Sequence, residues 1–103
     1  MIVVLKKPNE LFELLDIKND LKTIQNFVGG YIEEIHLENK LIALVDEDGD
    51  FKNLKDNIKI FDTVIRGNVL FVKESEDGMD FEGLNSEDIL NVVSFLQHST
   101  IHK

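Results

Sequence analysis

The sequence predicts an α+β domain in which a mostly antiparallel sheet of four to five strands carries two packed helices. Three observations lead there. Four apolar stretches, Ile2–Leu5, Tyr31–Leu37, Leu41–Val45 and Val64–Val72, are too short for helices and rich in β-branched residues. Two other stretches, Leu21–Val28 and Ile89–Leu96, place their apolar residues at helical spacing. At 103 residues and 43% hydrophobic content, the chain suffices for one modest core and not for two. Residues 1–98 are therefore read as a single domain and 99–103 as a frayed tail.

The elements follow in order. Ile2-Val3-Val4-Leu5 reads as a buried strand, and Lys6-Lys7-Pro8, with the only proline, ends it. Leu11 to Ile17 fits neither period cleanly and is read as a strand hairpinned to the first. The first helix has Asn19 or Asp20 as its cap, an apolar stripe of Leu21, Ile24, Phe27 and Val28, and Gly29 at the left-handed position that stops it. From Tyr31 the period changes to two, so that Tyr31, Glu33, Ile35 and Leu37 share one face. After the tight connection Glu38-Asn39-Lys40, the unbroken run Leu41 to Val45 is expected as a central strand covered on both sides. Phe51 to Phe61 reads as a loop or single helical turn over the sheet edge. Val64 to Val72 reads as one long strand with a bulge at Gly67, and Phe81 to Leu84 as a short edge strand. Asn85 begins the closing helix, whose stripe is Ile89, Val92, Val93 and Leu96.

Charge narrows the function classes. A formal net charge of −9 is unsuited to direct nucleic-acid or anionic-lipid binding, which relies on Lys and Arg, and suits a partner protein with a basic surface. No apolar run approaches the about 20 residues of a membrane span, so a soluble cytoplasmic protein is expected. The absence of cysteine removes disulfides and thiolate chemistry together. Two acidic blocks stand out, Asp46-Glu47-Asp48-Gly49-Asp50 and the span Glu74 to Asp88 with Glu74, Glu76, Asp77 and Asp80 at its start. They read as solvated loops or as an acidic interaction surface.

Chemical motifs are sparse. Asp46, Asp48 and Asp50 imitate the start of an EF-hand loop, but Phe51 stands where glycine is needed and Asn57 where the bidentate glutamate belongs. Gly29-Gly30 follows a helix instead of leading into one, so helix amides do not converge there on a phosphate. His36, His98 and His102 lack metal-ligand spacing, and no serine sits in a nucleophile elbow. No cofactor or metal is expected. Glu33 is the informative carboxylate, because on an apolar face it must be paired, hydrogen-bonded or at a pocket mouth. Tyr31 and Arg66 are its candidate partners, and Gly29, Gly30, Tyr31, Glu33 and Arg66 form a candidate ligand site. Hydrolysis resting on Glu33 and loop aspartates is a weaker reading than binding. A homo-oligomer through an edge strand or the closing helix is left open.

The strings Ile24-Gln25, Val28-Gly29-Gly30-Tyr31-Ile32-Glu33 and Leu44-Val45-Asp46-Glu47-Asp48-Gly49, with Leu54, Asn57 and Asp62 to Val72 around Gly67, carry a resemblance. The chain resembles, over Ile2 to Leu96, a family of small proteins from phages and mobile elements of Bacillota, defined only as a domain of unknown function. It departs where the family pattern has an Asn-Arg pair after Leu-Pro, since here Lys55 and Asn57-Ile58 occupy that stretch. The resemblance implies an accessory protein acting in a bacterial cytoplasm. Two functions are expected of such a protein: modulation of a host protein through an acidic surface, or sequestration of a small ligand such as a signalling nucleotide.

Overall fold

The computed structural model describes residues 1–101. Its centre is a six-stranded antiparallel sheet built from β1 (Ile2–Lys6), β2 (Glu13–Asp16), β3 (Ile32–His36), β4 (Leu41–Asp46), β7 (Val69–Glu74) and β8 (Phe81–Glu82), in the order β2-β1-β7-β4-β3 with β8 also paired to β7. A separate hairpin, β5 (Asp56–Ile60) and β6 (Thr63–Arg66), forms a two-stranded second sheet. The helices are α1 (Leu21–Val28) and α2 (Ser86–Ser99). No helix among the described residues is long and apolar enough to cross a membrane.

The alternation along β4 and β7 explains the layering. Leu70 and Val72 of β7, with Ile42 and Leu44 of β4 and Val3 and Leu5 of β1, pack under Ile24 and Val28 of α1. Val69, Phe71, Ala43, Val45 and Val4 point the other way and meet Val92 and Leu96 of α2 and Ile58, Ile60 and Ile65 of the hairpin. Both faces of the central strands are thus covered, as an unbroken apolar run requires. Phe71 and Phe95 meet edge-on with ring centroids 6.2 Å apart.

The helix ends match the sequence signals. Asp20 accepts from the Thr23 N–H at 2.8 Å, which holds its carboxyl below the ordinary range, and Gly29 at φ +101° ends α1 with its N–H on the Gln25 carbonyl at 2.7 Å. Asn85 and Asp88 close a reciprocal capping box at the start of α2.

Three expectations need correction. The predicted long strand Val64–Val72 is two strands, because Gly67 at φ +89° breaks the backbone between β6, which pairs β5, and β7, which pairs β1 and β4. The stretch Phe51–Phe61 is not a loop throughout, since its second half is β5. Its turn to β6 places Phe61 and Asp62 at φ +48° and +65°, a conformation usually reserved for Asn-Gly, so no turn signal marks it. Of the tail predicted over 99–103, Ser99 ends α2, Thr100 bridges Ile58, and the Ile101 N–H donates to the Asn57 carbonyl at 2.8 Å. His102 and Lys103 lie outside the described residues.

The hairpin is anchored by one buried amide. Asn57 donates from Nδ2 to the Lys6 and Gly67 carbonyls, both at 2.8 Å, and accepts from Lys6 Nζ at 3.1 Å. Leu54, Asn57 and Gly67, on which the family resemblance rests in part, therefore come together at the point where the hairpin leaves the sheet. Burial holds the Lys6 ammonium below the ordinary lysine value of 10.5, with Glu10 opposing. The unfolded chain keeps its proton to higher pH than the folded one, so this residue's contribution to stability rises as pH climbs through the lowered value towards 10.5. The urea midpoint of the wild type, minus that of Lys6→Met, is expected to increase from neutral pH to about pH 10; a flat or falling difference contradicts the assignment.

Candidate functional site

The Gly29-Gly30 turn is held by charge from β4 and the loop after it. Asp46, the last residue of β4, accepts from Lys52 Nζ at 2.7 Å and from the Asp48 N–H at 2.9 Å. Lys52 also donates to the Gly29 carbonyl at 3.2 Å. Gly30 lies against this pair. A Cβ there would stand 2.7 Å from Lys52 Nζ and 3.2 Å from both Asp46 carboxylate oxygens. Backbone conformation sets the first glycine, and a side chain at the second would have to push the Lys52 ammonium aside.

Around the turn runs an open groove of about 570 Å³ lined by Gln25, Asn26, Gly29, Gly30, Tyr31, Asp48 and Lys52. A neighbouring groove of about 430 Å³ shares Gly29 and Lys52 and adds Lys7, Lys55 and Glu10. Of the predicted ligand set, Gly29, Gly30 and Tyr31 are brought together. Glu33 and Arg66 do not line either groove. Glu33 belongs to β3, which is an edge strand, and its side chain is exposed instead of buried in the apolar face that the period suggested. Arg66 does not meet it: its guanidinium is 3.1 Å from Asp56 and 3.8 Å from Asp50, and donates to Asn53 Oδ1 at 3.0 Å.

The predicted acidic surface is two surfaces. Because β4 and β7 are antiparallel, with Val45 opposite Val69 and Leu41 opposite Lys73, the block after β4 and the block after β7 lie at opposite ends of the sheet, roughly 20 Å apart. The first block is neutralised in part. Asp46 is turned inward with a side chain 1% exposed and paired with Lys52, while Glu47, Asp48 and Asp50 face water, Asp50 at 3.8 Å from an Arg66 guanidinium that lies closer to Asp56.

The second block keeps its charge. Glu74 and Glu76 line a groove of about 380 Å³ together with Glu82, Glu87 and Asp88, against which stand only Lys40 and Lys73. Lys73 is already engaged, 3.3 Å from the buried Asp88 carboxylate that also closes the α2 capping box. Asp77 and Asp80 belong to the turn beyond. Asp77 accepts from Ser75 Oγ at 2.6 Å and from the Met79 N–H at 3.0 Å, and these bonds hold its carboxyl below the ordinary range. Asp80 makes its N–H available to Ser75 Oγ at 3.1 Å. Sequence reasoning counted Glu82, Glu87 and Asp88 in the acidic span and did not see that the α2 cap folds them against Glu74. The Asn85-to-Asp88 spacing was the available signal.

A family model described as a domain of unknown function, DUF3846, matches residues 1–97. The chain belongs to the DUF3846 family. The match takes in all eight strands and most of α2, so both the glycine turn and the acidic groove fall inside the DUF3846 domain. No curated protein and no solved structure matches the chain.

Proposed function

We propose that this DUF3846 protein is a non-enzymatic binding protein that holds a basic segment of a partner protein in the acidic groove beside α2. The groove itself is the observation that carries the reading: carboxylates from β7, β8, the connecting turn and the first turn of α2 converge, and with Asp88 and Lys73 paired to each other, Glu74, Glu76, Glu82 and Glu87 stand against Lys40. Such a trough steers a lysine- or arginine-bearing surface and fixes its register. The exposed position of Glu33 supports the non-enzymatic part, since hydrolysis rested on that carboxylate. The setting we propose is the cytoplasm of a bacterium, where the chain, as an accessory protein of phage or mobile-element origin, modulates a host protein in an anti-defence or host-takeover role. The VGGYIE string supports that setting.

The test is affinity capture from bacterial lysate with the wild type, with Glu74→Gln/Glu76→Gln/Glu82→Gln/Glu87→Gln, and with Glu47→Gln/Asp48→Asn as the control at the other end of the sheet. The first variant is expected to lose about tenfold or more of the captured partner and the control to keep it. Equal capture by all three contradicts the proposal.

One observation favours a second reading, in which a small anionic ligand is bound. The two grooves around Gly29 carry Lys7 and Lys55 besides the paired Lys52, opposite Glu10, Asp46 and Asp48, a balanced lining on an otherwise acidic chain. A nucleotide at a hundred times its dissociation constant is expected to add about 2.7 kcal/mol of stability. Thermal-shift measurement across a nucleotide panel reads this, and no response to any member contradicts it.

A further inference from the structure

On the flank of α2 away from the acidic groove, a different surface is open. β2 ends the sheet, and among the described residues no strand pairs its outer side. The hydrogen bonds of its neighbours fix which groups it offers. The Ile17 N–H donates to the Met1 carbonyl at 2.9 Å and the Met1 amine to the Ile17 carbonyl at 2.7 Å, so Ile17 faces β1. With the register Val3 opposite Leu15 and Leu5 opposite Glu13, the alternation turns Leu15 and Glu13 towards β1 and leaves the N–H and C=O groups of Leu14 and Asp16 pointing outward.

Edge strands are ordinarily guarded by short length, charge, proline or a bulge. This one is short and carries only negative charge, Glu13 and Asp16, and it pairs with β1 in unbroken register, so its guard repels acidic strands and admits basic ones. Leu15 packs against the core under α1, but the other apolar side chains of the run from Leu11 to Leu15 are exposed. Leu11 is 88% and Leu14 52% exposed, and Leu90, one turn before Val93 on α2, is 69% exposed. A groove of about 220 Å³ runs between α2 and the segment leading into β2, lined by Glu10, Leu11 and Phe12 on one side and Val93, Leu96, Gln97 and Thr100 on the other, with Lys6, itself buried and bonded to Asn57, at its floor. Phe12 and Leu14 lie on the α2 side of the sheet, because Leu14 pairs with Val4, which packs against that side.

We propose that the β2 edge and this groove dock an extended segment of another protein that alternates apolar with lysine or arginine side chains. The added strand bonds the outward groups of Leu14 and Asp16, its apolar residues enter the groove beside Phe12 and Val93, and its cations meet Glu10, Glu13 and Asp16. Charge decides against a second copy of the chain as occupant, since self-pairing sets the same three carboxylates against each other on two molecules of net charge −9. The inference rests on the protein-binding reading above and adds a second contact on the opposite flank of α2.

The probe is a synthetic nine-residue peptide alternating valine and lysine, titrated into the ¹⁵N-labelled protein, with a valine–glutamate peptide as control. Expected are chemical-shift changes at Leu14, Asp16, Val93 and Gln97 and slowed amide exchange at Leu14 and Asp16. Leu14→Lys, a substitution at a half-exposed position that leaves the core alone, is expected to weaken the peptide by about tenfold or more. The four-glutamine variant of the acidic groove is expected to retain these shifts. Shifts confined to the Glu74–Glu87 groove, equal binding of the valine–glutamate peptide, or concentration-dependent shifts at Leu14 and Asp16 without peptide overturn the inference, the last in favour of self-association. Capture of a partner that is lost in the four-glutamine variant but unchanged by Leu14→Lys also overturns it, while leaving the acidic-groove reading standing.

Discussion

Asn57→Leu is expected to lower the stability of the fold by about 4 kcal/mol. Asn57 is fully buried, and its amide satisfies the carbonyls of Lys6 and Gly67 and one proton of the Lys6 ammonium. Leucine matches the size and offers none of these bonds. Two carbonyls are then left in the interior without this partner, at about 1–3 kcal/mol for each unsatisfied group. Lys6 keeps only its bond to the Lys7 carbonyl at 2.7 Å. Because Asn57 ties the β5–β6 hairpin to both β1 and the start of β7, the loss is felt across the domain and not in the hairpin alone. Urea unfolding reads it as a midpoint about 2 M lower; a shift of a few tenths molar shows that the network contributes little.

Lys52→Met is expected to cost about 2 kcal/mol, although Lys52 itself is half-exposed. The cost arises at its partner. The Asp46 carboxylate is enclosed between Gly30 and the loop, and without Lys52 it retains the Asp48 N–H as its remaining donor. Removing one member of a buried pair usually costs 3–5 kcal/mol, and the access of water on the lysine side reduces that here. Asp46→Asn leaves one accepting oxygen where the carboxylate used a separate oxygen for each donor, sets its Nδ2 against one of them, and is expected to cost at least as much. The ratio of the two variants in thermal unfolding is the measurement. If Asp46→Asn is clearly the less damaging, the Asp46–Lys52 pair is not what holds the glycine turn.

The local parts of the fold were legible because their causes are local. Asp20, Gly29 and Asn85 mark helix ends through bonds to residues three or four positions away, and those bonds are present. Leu41–Val45 reads as doubly covered because its composition permits nothing else, and it is. What failed depends on long-range order. Arg66-Gly67-Asn68 interrupts the apolar run from Val64 to Val72, and composition alone does not distinguish a bulge there from the break at which the backbone turns away from the sheet. The face of Glu33 followed from the period of two, but whether that face is covered depends on β3 lying at an edge, which strand order alone determines.

The site shows the same division. Sequence proximity puts Gly29, Gly30 and Tyr31 side by side, and they line one groove, but it gives no sign that Lys52 folds back onto Asp46. Charge density pointed to both acidic blocks alike. Only the antiparallel pairing of β4 and β7 separates them and leaves the Glu74 end as the one where carboxylates from three elements meet.

Hydrogen exchange on the complex captured with the wild-type protein tests the central claim most directly, because it locates the partner on the surface. The acidic-groove account predicts that protection on binding falls on the residues of that groove, Asn39 and Lys40, Lys73 to Glu76, Glu82 and the first turns of α2. Protection confined to Glu47, Asp48 and the glycine turn at the other end of the sheet would contradict it.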